Sequence, residues 1–417
     1  MRGNLDLPTR RTLLLGSGAL FAWAYAPKLA RAEGRDPRFL AIILRGALDG
    51  LAMLAPVDDP DWVKLRGDKA LTLEGTTPAL PLDGFFALNP AMPNLHRLYQ
   101  TGEAIFVHAA ATPYRERSHF DGQDVLESGL DRPGRTESGW LNRTVASLEP
   151  DRGVRLHNNN NVFAVGPTTP LVVRGSAPIM SWVPQLVLPA GEDTQMRLLE
   201  LYRHTDPKLA RALEGRRDII ALGQGGGTNA MTPRESEPAL VGMARVRKYF
   251  ADAGGAAARY LAQSDGPRVG ALGFVGWDTH INEGAVGGAL AALLGALDEA
   301  VAAIEKGMGD AWSETVVAVV TEFGRTARIN GTDGTDHGTA TVAVLAGGAL
   351  KGGRVIADWP GLKRADLYEG RDLKPTTDLR AVFKGVLKDH LRLDERALAA
   401  RVFPGSADVQ PMSGLLA

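Results

Sequence analysis

"RFLAIILRGALDG", Arg38–Gly50, is the stretch that decides the architecture. Phe39 to Leu44 is an unbroken apolar run without alternation. Such a run fits a strand buried on both faces, as in a parallel sheet covered by helices. Arg45 to Gly50 then reads as the loop at its carboxyl end. The pattern recurs in "AIFVHAA" (Ala104–Ala110), which leads through the polar loop "TPYRERS" into "HFDGQDVLESG", helical in its spacing, with Ser118 in the N-cap position and Gly129 at its end. "RVGALGFVGWDTH" is joined by the Ala-rich amphipathic "GAVGGALAALLGALDEAVAAIEKGM" to "ETVVAVVTEFG". Strand, helix and strand in that order predict a right-handed parallel crossover. "TATVAVLAGG" adds a strand, and "DLRAVFKGVLKDHLRL" a final helix. Helices are also expected over 198–222 and 237–263. The stretch 139–191, with "HNNNN" at 157–161 and many prolines, reads as loops and short strands, an irregular insertion in one α/β domain spanning 33–417.

The composition narrows the function. The chain has 417 residues, 44% of them hydrophobic, with 47 basic against 48 acidic residues and a net charge of -1. A large core is affordable, and no block of one sign supplies the electrostatic footprint of a nucleic-acid partner. Forty-nine glycines and 25 prolines without a fixed period point to many loops, where sites are built. There is no cysteine, which excludes disulfides, thiolate ligands and a cysteine nucleophile. A metal site here must use His, Asp, Glu or Asn. At the N-terminus, Arg10-Arg11 precede an uncharged segment from Thr12 to Pro27, followed by Ala30-Arg31-Ala32. This reads as a twin-arginine signal peptide over residues 1–32, with the twin-arginine machinery as export partner and a periplasmic or secreted destination. The uncharged run is short of the ~20 residues a span needs, so no stable membrane span is expected after cleavage.

Four strand candidates end in ionisable groups: Asp49, Ser118-His119, Asp278 with His280, and Glu322. In open α/β sheets the ligand crevice lies outside the carboxyl ends of the strands, so these distant segments are expected to converge. Asp278 and His280 would leave an extended segment on the same face, which suits one ion. Asp336-His337 precedes a strand and is expected to fold back over the same edge. Each feature has a plainer account. Asp49-Gly50 alone is a turn, Ser118 an N-cap, Asp278–His280 a hydrogen-bonded loop, and Glu322 an ion-pair partner of Arg325. The conjunction argues for a site. His108 is expected to pack within its strand, and His96, His157, His204 and His390 to lie on the surface or on helix faces.

In order along the chain, "LRGALDGLAMLAP", "SHFDGQDVLESG", "GWDTH", "TEFGRT", "GTDHG", "GGRV" and "TTDLRAVFKGVL" resemble the bacterial family called domain of unknown function 1501. That family is related to the alkaline phosphatase and sulfatase superfamily, and the likeness runs from about Phe39 to Gly405. It implies an alkaline-phosphatase-like three-layer sandwich, with a central mostly parallel sheet and helices on both faces. It also implies metal ions flanking a nucleophile at a helix N-terminus. By order, Asp49 matches the first acidic ligand, usually of the second metal, and Ser118 the nucleophile. Asp278 and His280 match ligands of the first metal. Glu322 follows the strand that usually carries an Asp-His pair, and His337 is the late histidine that returns to the first metal. Asp336 is either a ligand or the group that orients His337.

Two positions depart from the pattern. Phe323 stands where a second-metal histidine is expected, leaving Asp49 and Glu322 with Asp336 or His119. The Asp278–His280 spacing is also tighter than in typical phosphatases. One or two divalent ions are implied, Zn2+, Mn2+, Mg2+ or Ca2+, with a hard ion suited to an oxygen-rich position. The implied activity is hydrolysis of a phosphate ester, or a related sulfate or phosphonate ester, on a small or polymer-linked anionic substrate. Ser118 would attack, Arg115 or Arg117 would clamp the anion, and His119 or a metal-bound water would serve the second step. Arg325 is either a further clamp or the partner of Glu322. "TPYRERS" lacks the "C/S-x-P-x-R" of formylglycine sulfatases. The competing reading is a non-catalytic exported binding or assembly protein that keeps the fold and a structural metal.

Overall fold

The computed structural model describes residues 35–134, 136–148, 162–165, 169–182 and 238–417. The signal peptide expected over residues 1–32, the helix expected over 198–222, and His157 and His204 lie outside the described residues.

The apolar runs form the strands β1 (Arg38–Arg45), β5 (Ala104–Ala111), β8 (Val269–Val275), β9 (Thr315–Thr321) and β10 (Thr341–Ala346). Between β1 and β5 lie the short strands β2 (Leu54–Ala55), β3 (Leu80–Pro81) and β4 (Ala87–Leu88), which pair among themselves as a small separate sheet. The main sheet is completed by β6 (Val162–Val165), β7 (Ile179–Trp182), β11 (Arg354–Ile356) and β12 (Thr377–Asp378). Its order is β11-β5-β10-β9-β1-β8-β6-β7, with β12 also beside β5. Within the stretch 139–191, then, the described residues include two strands that extend the main sheet beyond β8. The short strands expected in that stretch are thus represented by β6 and β7, beside β8.

Strand β1 shows why the chain layers as it does. Leu40, Ile42 and Leu44 face one core, shared with the helices Pro93–Gln100, Pro238–Ala262 and Ala289–Met308. Phe39, Ala41 and Ile43 face a second core, shared with Trp140, Phe403 and the helix Leu379–Leu391. Successive strand side chains point to opposite faces, so an unbroken apolar run is what a sheet covered on both sides requires. Fully burying each large apolar side chain stabilises the fold by about 1.5–3 kcal/mol. The helix Ala289–Met308 joins β8 to β9, which flank β1 and run parallel to it, so the crossover passes over β1. The fold is thus the expected α/β sandwich with a mostly parallel central sheet.

The exception to parallel order is β10, which runs antiparallel to β9 and to β5. Its first residue, Thr341, pairs with Ala110 near the end of β5. The start of β10 therefore lies at the edge where β1, β5, β8 and β9 end. Residues 322–340 leave β9 and return to β10 at that edge. The base of this loop is an antiparallel pairing: Gly338 N–H donates to the Gly324 carbonyl at 2.8 Å, and Thr326 N–H to the Asp336 carbonyl at 2.9 Å. A Cβ on Gly338 would stand 2.4 Å from the Arg325 backbone, so only glycine permits this approach.

Candidate metal centre

The carboxyl edge of the sheet gathers side chains from three loops. His119 opens the helix His119–Ser128 after β5, Asp278 and His280 follow β8, and His337 comes from the loop between β9 and β10. The Nε2 atoms of His119 and His337 are 2.9 Å apart, and those of His280 and His337 3.0 Å apart. Asp278 Oδ1 lies 3.0 Å from His280 Nε2 and 3.2 Å from His337 Nε2, and its Oδ2 lies 3.4 Å from His119 Nε2. His119, Asp278 and His337 each offer an atom within 4.8 Å of the others, a spacing that one ion can bridge.

The other ring nitrogens are held by acceptors. His337 Nδ1 donates to the Arg117 carbonyl at 2.9 Å, and His119 Nδ1 to Glu322 Oε1 at 2.9 Å. His280 Nδ1 faces Asp336 Oδ1 at 3.5 Å. A carbonyl can only accept, so the neutral His337 ring carries its proton on Nδ1 and leaves a lone pair on Nε2. The same holds for a neutral His119 against an ionised Glu322. Lone pairs and a carboxylate oxygen then converge, an arrangement that repels itself unless a cation sits among them. Metal-bound histidines are oriented in this way, with the far nitrogen tied to a carboxylate or carbonyl.

The carboxylates divide by role. Glu322 is fully buried, and its Oε1 accepts from Gly46 N–H at 2.9 Å and Gln123 Nε2 at 3.0 Å as well as from His119. Burial pushes its carboxyl up, but these hydrogen bonds outweigh it and hold the group below the usual range. Asp278 is likewise pushed up by burial, and the Arg325 guanidinium more than reverses this. The hydrogen bond to Glu322 raises His119 against the effect of burial. Burial lowers His337, and the neighbouring His119 acts in the same direction.

Glu322 and Asp336 face the Nδ1 atoms of His119 and His280, while the Nε2 atoms of His119, His280 and His337 lie beside the Asp278 carboxylate. Asp49 stands apart, 1% exposed, with its carboxylate already engaged. It caps Gly50–Met53, accepting from Leu51 and Ala52 N–H at 3.1 and 3.2 Å, and it forms a two-pronged ion pair with buried Arg66. No sequence spacing announced this guanidinium beside Asp49. Phe323 forms a wall, stacked on His119 with ring centroids 5.0 Å apart.

Ser118 is the helix N-cap, its hydroxyl accepting a long 3.5 Å contact from Asp121 N–H. Its backbone N–H donates to the Tyr114 hydroxyl at 3.2 Å. The three arginines expected to clamp an anion all have partners. Arg117 binds Asp372 and Glu369, Arg115 bonds the Thr112 and Tyr114 carbonyls, and Arg325 binds Asp278 and Thr335. Arg325 is thus the partner of Asp278, and Glu322 is not its salt-bridge partner.

Other residues in the arrangement were not anticipated. Glu283, 2% exposed, accepts from the Thr279 and Thr335 hydroxyls at 3.0 Å each. It links the loop of Asp278 and His280 to that of His337. Burial, with the charge of Asp49, pushes Glu283 up to about 8. No spacing in the sequence announces such a tie between loops. Of the remaining histidines, His108 is buried in β5 as expected, donating to the Leu54 carbonyl. His390 departs from the surface reading, being fully buried against the Arg38 carbonyl.

An α/β sandwich with a histidine–carboxylate cluster at its carboxyl edge is the class that fold and site define. The chain belongs to the family described as "Protein of unknown function (DUF1501)", whose model matches residues 99–402. No curated protein matches it. Among solved structures it is similar to Ps i-CgsB in complex with k-i-k-neocarrahexaose, at 10% identity and a TM-score of 0.41, covering 90% of this chain and 77% of that one. It is similar to a protein in the alkaline phosphatase superfamily from Vibrio parahaemolyticus, at 12% identity and a TM-score of 0.32, covering 76% and 61%. It is also similar to the C-terminal periplasmic domain of EcEptC from Escherichia coli in complex with Zn, at 11% identity and a TM-score of 0.32, covering 76% and 74%. Among the described residues no helix is long and apolar enough to cross a membrane.

Proposed function

We propose that the protein is a metal-dependent hydrolase of an anionic ester, of the phosphate, sulfate or phosphonate type, working with one divalent ion. The observation that carries this is the meeting of His119, His280 and His337 Nε2 atoms around Asp278, with the far nitrogens of His119 and His337 bonded to acceptors. His119, Asp278, His280 and His337 would hold the ion. A nitrogen-rich donor set favours Zn2+ over the harder Mg2+ or Ca2+. Engagement of Asp49 by Arg66 supports one ion instead of two.

A divalent ion there supplies Lewis-acid polarisation of an ester oxygen and eases deprotonation of a bound hydroxyl. Ser118 is the proposed nucleophile. Its hydroxyl accepts the long cap contact from Asp121 N–H and also meets the Tyr114 hydroxyl. In this reading its proton passes to solvent as the oxygen bonds to phosphorus or sulfur. The ester P–O or S–O bond breaks, the alcohol leaves taking a proton from solvent, and water then releases the anion from the serine. The N–H groups of the first helical turn favour the negative charge that develops there. Phe323 covers one face of His119 and Glu322 fixes the ring, so the imidazole is held against rotation. The pair Arg10-Arg11 supports a reading in which the protein works outside the cytoplasm after twin-arginine export.

The test is elemental analysis of the purified mature protein together with a screen of phosphomonoesters, phosphodiesters and sulfate esters. Ser118→Ala should abolish turnover with metal content unchanged. Metal-free protein with normal folding would sink the metal-site claim whatever the screen showed, and the serine variant separates turnover from binding. Equal turnover by Ser118→Ala and the parent would remove the nucleophile. The binding-protein reading draws on the engagement of all three expected clamps and predicts no turnover in either.

A further inference from the structure

Beside the cluster lies an open cleft of about 670 Å³. Its lining carries five basic side chains, Lys64, Arg328, Lys363, Arg364 and Arg371, against two acidic ones, Asp61 and Asp336. The chain as a whole is nearly neutral, with a net charge of -1, so this is a local concentration of positive charge. Lys64 is paired with Asp61 at 2.9 Å, and Arg371 donates to the His337 carbonyl at 2.7 Å. Among the described residues, no ion pair engages Arg328, Lys363 or Arg364, and all three are exposed. The floor contains buried Leu65, Leu362 and Leu367. A low-dielectric floor under unpaired cations focuses their field on whatever enters.

The cleft and the cluster share a wall. Asp336, which faces His280 Nδ1, also lines the cleft, as does Asn330, which bonds Asp336 Oδ1 at 3.1 Å and the His280 carbonyl at 3.0 Å. Arg371 reaches from the cleft to the backbone of His337. The free cations thus stand next to the proposed reacting centre and outside it, while the arginines nearest the centre are already engaged.

We propose that this cleft binds a second tetrahedral oxyanion of the substrate, so that the substrate carries at least two phosphate- or sulfate-type groups, one at the cluster and one in the cleft. The proposal rests on the hydrolase reading for what occupies the cluster, and on the cleft's own charge for the second group. Guanidinium and ammonium donors recognise either oxyanion, so phosphate and sulfate are separated by experiment.

The test compares the purified protein with Arg328→Ala/Lys363→Ala/Arg364→Ala by calorimetry, using orthophosphate, tripolyphosphate and sucrose octasulfate. An equal-charge control, Lys351→Ala/Arg396→Ala/Arg401→Ala, accounts for net charge. The substituted side chains are exposed, and thermal unfolding checks that the fold persists. The parent should bind at least one polyanion more tightly than orthophosphate. The cleft variant should weaken that binding by about tenfold or more, the order set by losing charge-assisted hydrogen bonds, with orthophosphate and the control within about twofold. Whichever polyanion is affected identifies the group. The proposal is overturned if the parent shows no preference for a polyanion, if the cleft variant binds as the parent does, or if the control loses as much. Metal content is measured on the same samples. Protein without metal that still shows cation-dependent polyanion binding ends the hydrolase reading and leaves the cleft; metal-loaded protein without that dependence does the reverse.

Discussion

His119 and His337 meet nitrogen to nitrogen at 2.9 Å, each with its other ring nitrogen bonded to an acceptor. Such a contact requires a cation between the rings, either a proton on one of them or a metal. Because ligand histidines must be neutral, metal binding displaces that proton and weakens in acid. His337→Ala should therefore reduce bound metal at least about tenfold by elemental analysis, as expected for loss of a ligand and its orienting contact. Undiminished metal in that variant would refute the centre.

Asp49→Asn separates ligation from structure. It should retain the metal, because the carboxylate is spent on Arg66, yet lose about 3–5 kcal/mol of stability by leaving a buried guanidinium without its counter-charge. Denaturant unfolding and metal analysis on one preparation read both quantities. A metal-free but stable variant would restore Asp49 to the ligand set.

Glu322→Gln tests the support behind the first histidine. The amide keeps an acceptor but not the charge that holds His119, so metal affinity should fall by about 10–100-fold while the fold persists. Competition with a chelator measures it, and an unchanged affinity would mean that the ring needs no such tether.

Two histidines away from the site set an acid limit. His108 and His390 are buried, and burial lowers each to about 4. Unfolded, each would titrate near 6.5, so below that pH the unfolded chain takes up protons that the fold refuses. Stability is full above about 6.5, falls as the pH drops toward 4, and loses no more from these rings below that, up to about 3 kcal/mol each. Urea midpoints across this window check the sign; a flat profile would mean that these rings can charge inside the fold.

Gly338→Ala should cost about 1–3 kcal/mol, the usual scale of overpacking, because its Cβ would meet the Arg325 backbone at 2.4 Å. The strain falls between His337 and the strand that follows, so metal affinity should drop with stability. A variant as stable as the parent would show that the loop base can give.

The strands were legible because burial on both faces leaves an unbroken apolar run, as in Phe39 to Leu44. The convergence of Asp278, His280 and His337 was legible because each adjoins such a run. The ion pair of Asp49 was not legible because its partner, Arg66, lies 17 residues on in a short helix with no mark of its own. His119 was legible as a catalytic residue or a ligand, but nothing in the sequence shows that its far nitrogen meets Glu322 from 203 residues away. The cleft cations Arg328, Lys363 and Arg364 come from two loops, and their nearness is a property of the fold alone.

The reversed direction of β10 has a further consequence. Residues 322–340 begin and end on neighbouring strands at one rim, so this excursion is one continuous segment, tied to the loop after β8 by bonds such as Thr335 N–H to the Thr279 carbonyl. It carries Glu322, Phe323, Arg325, Arg328, Asp336 and His337 together. Exchanging it between relatives would transplant the proposed ligand His337, the Glu322 contact and the cleft cation Arg328 in a single step, provided its bonds to the loop after β8 are kept. Diversity in what this scaffold recognises is therefore expected to concentrate in that one exchangeable segment.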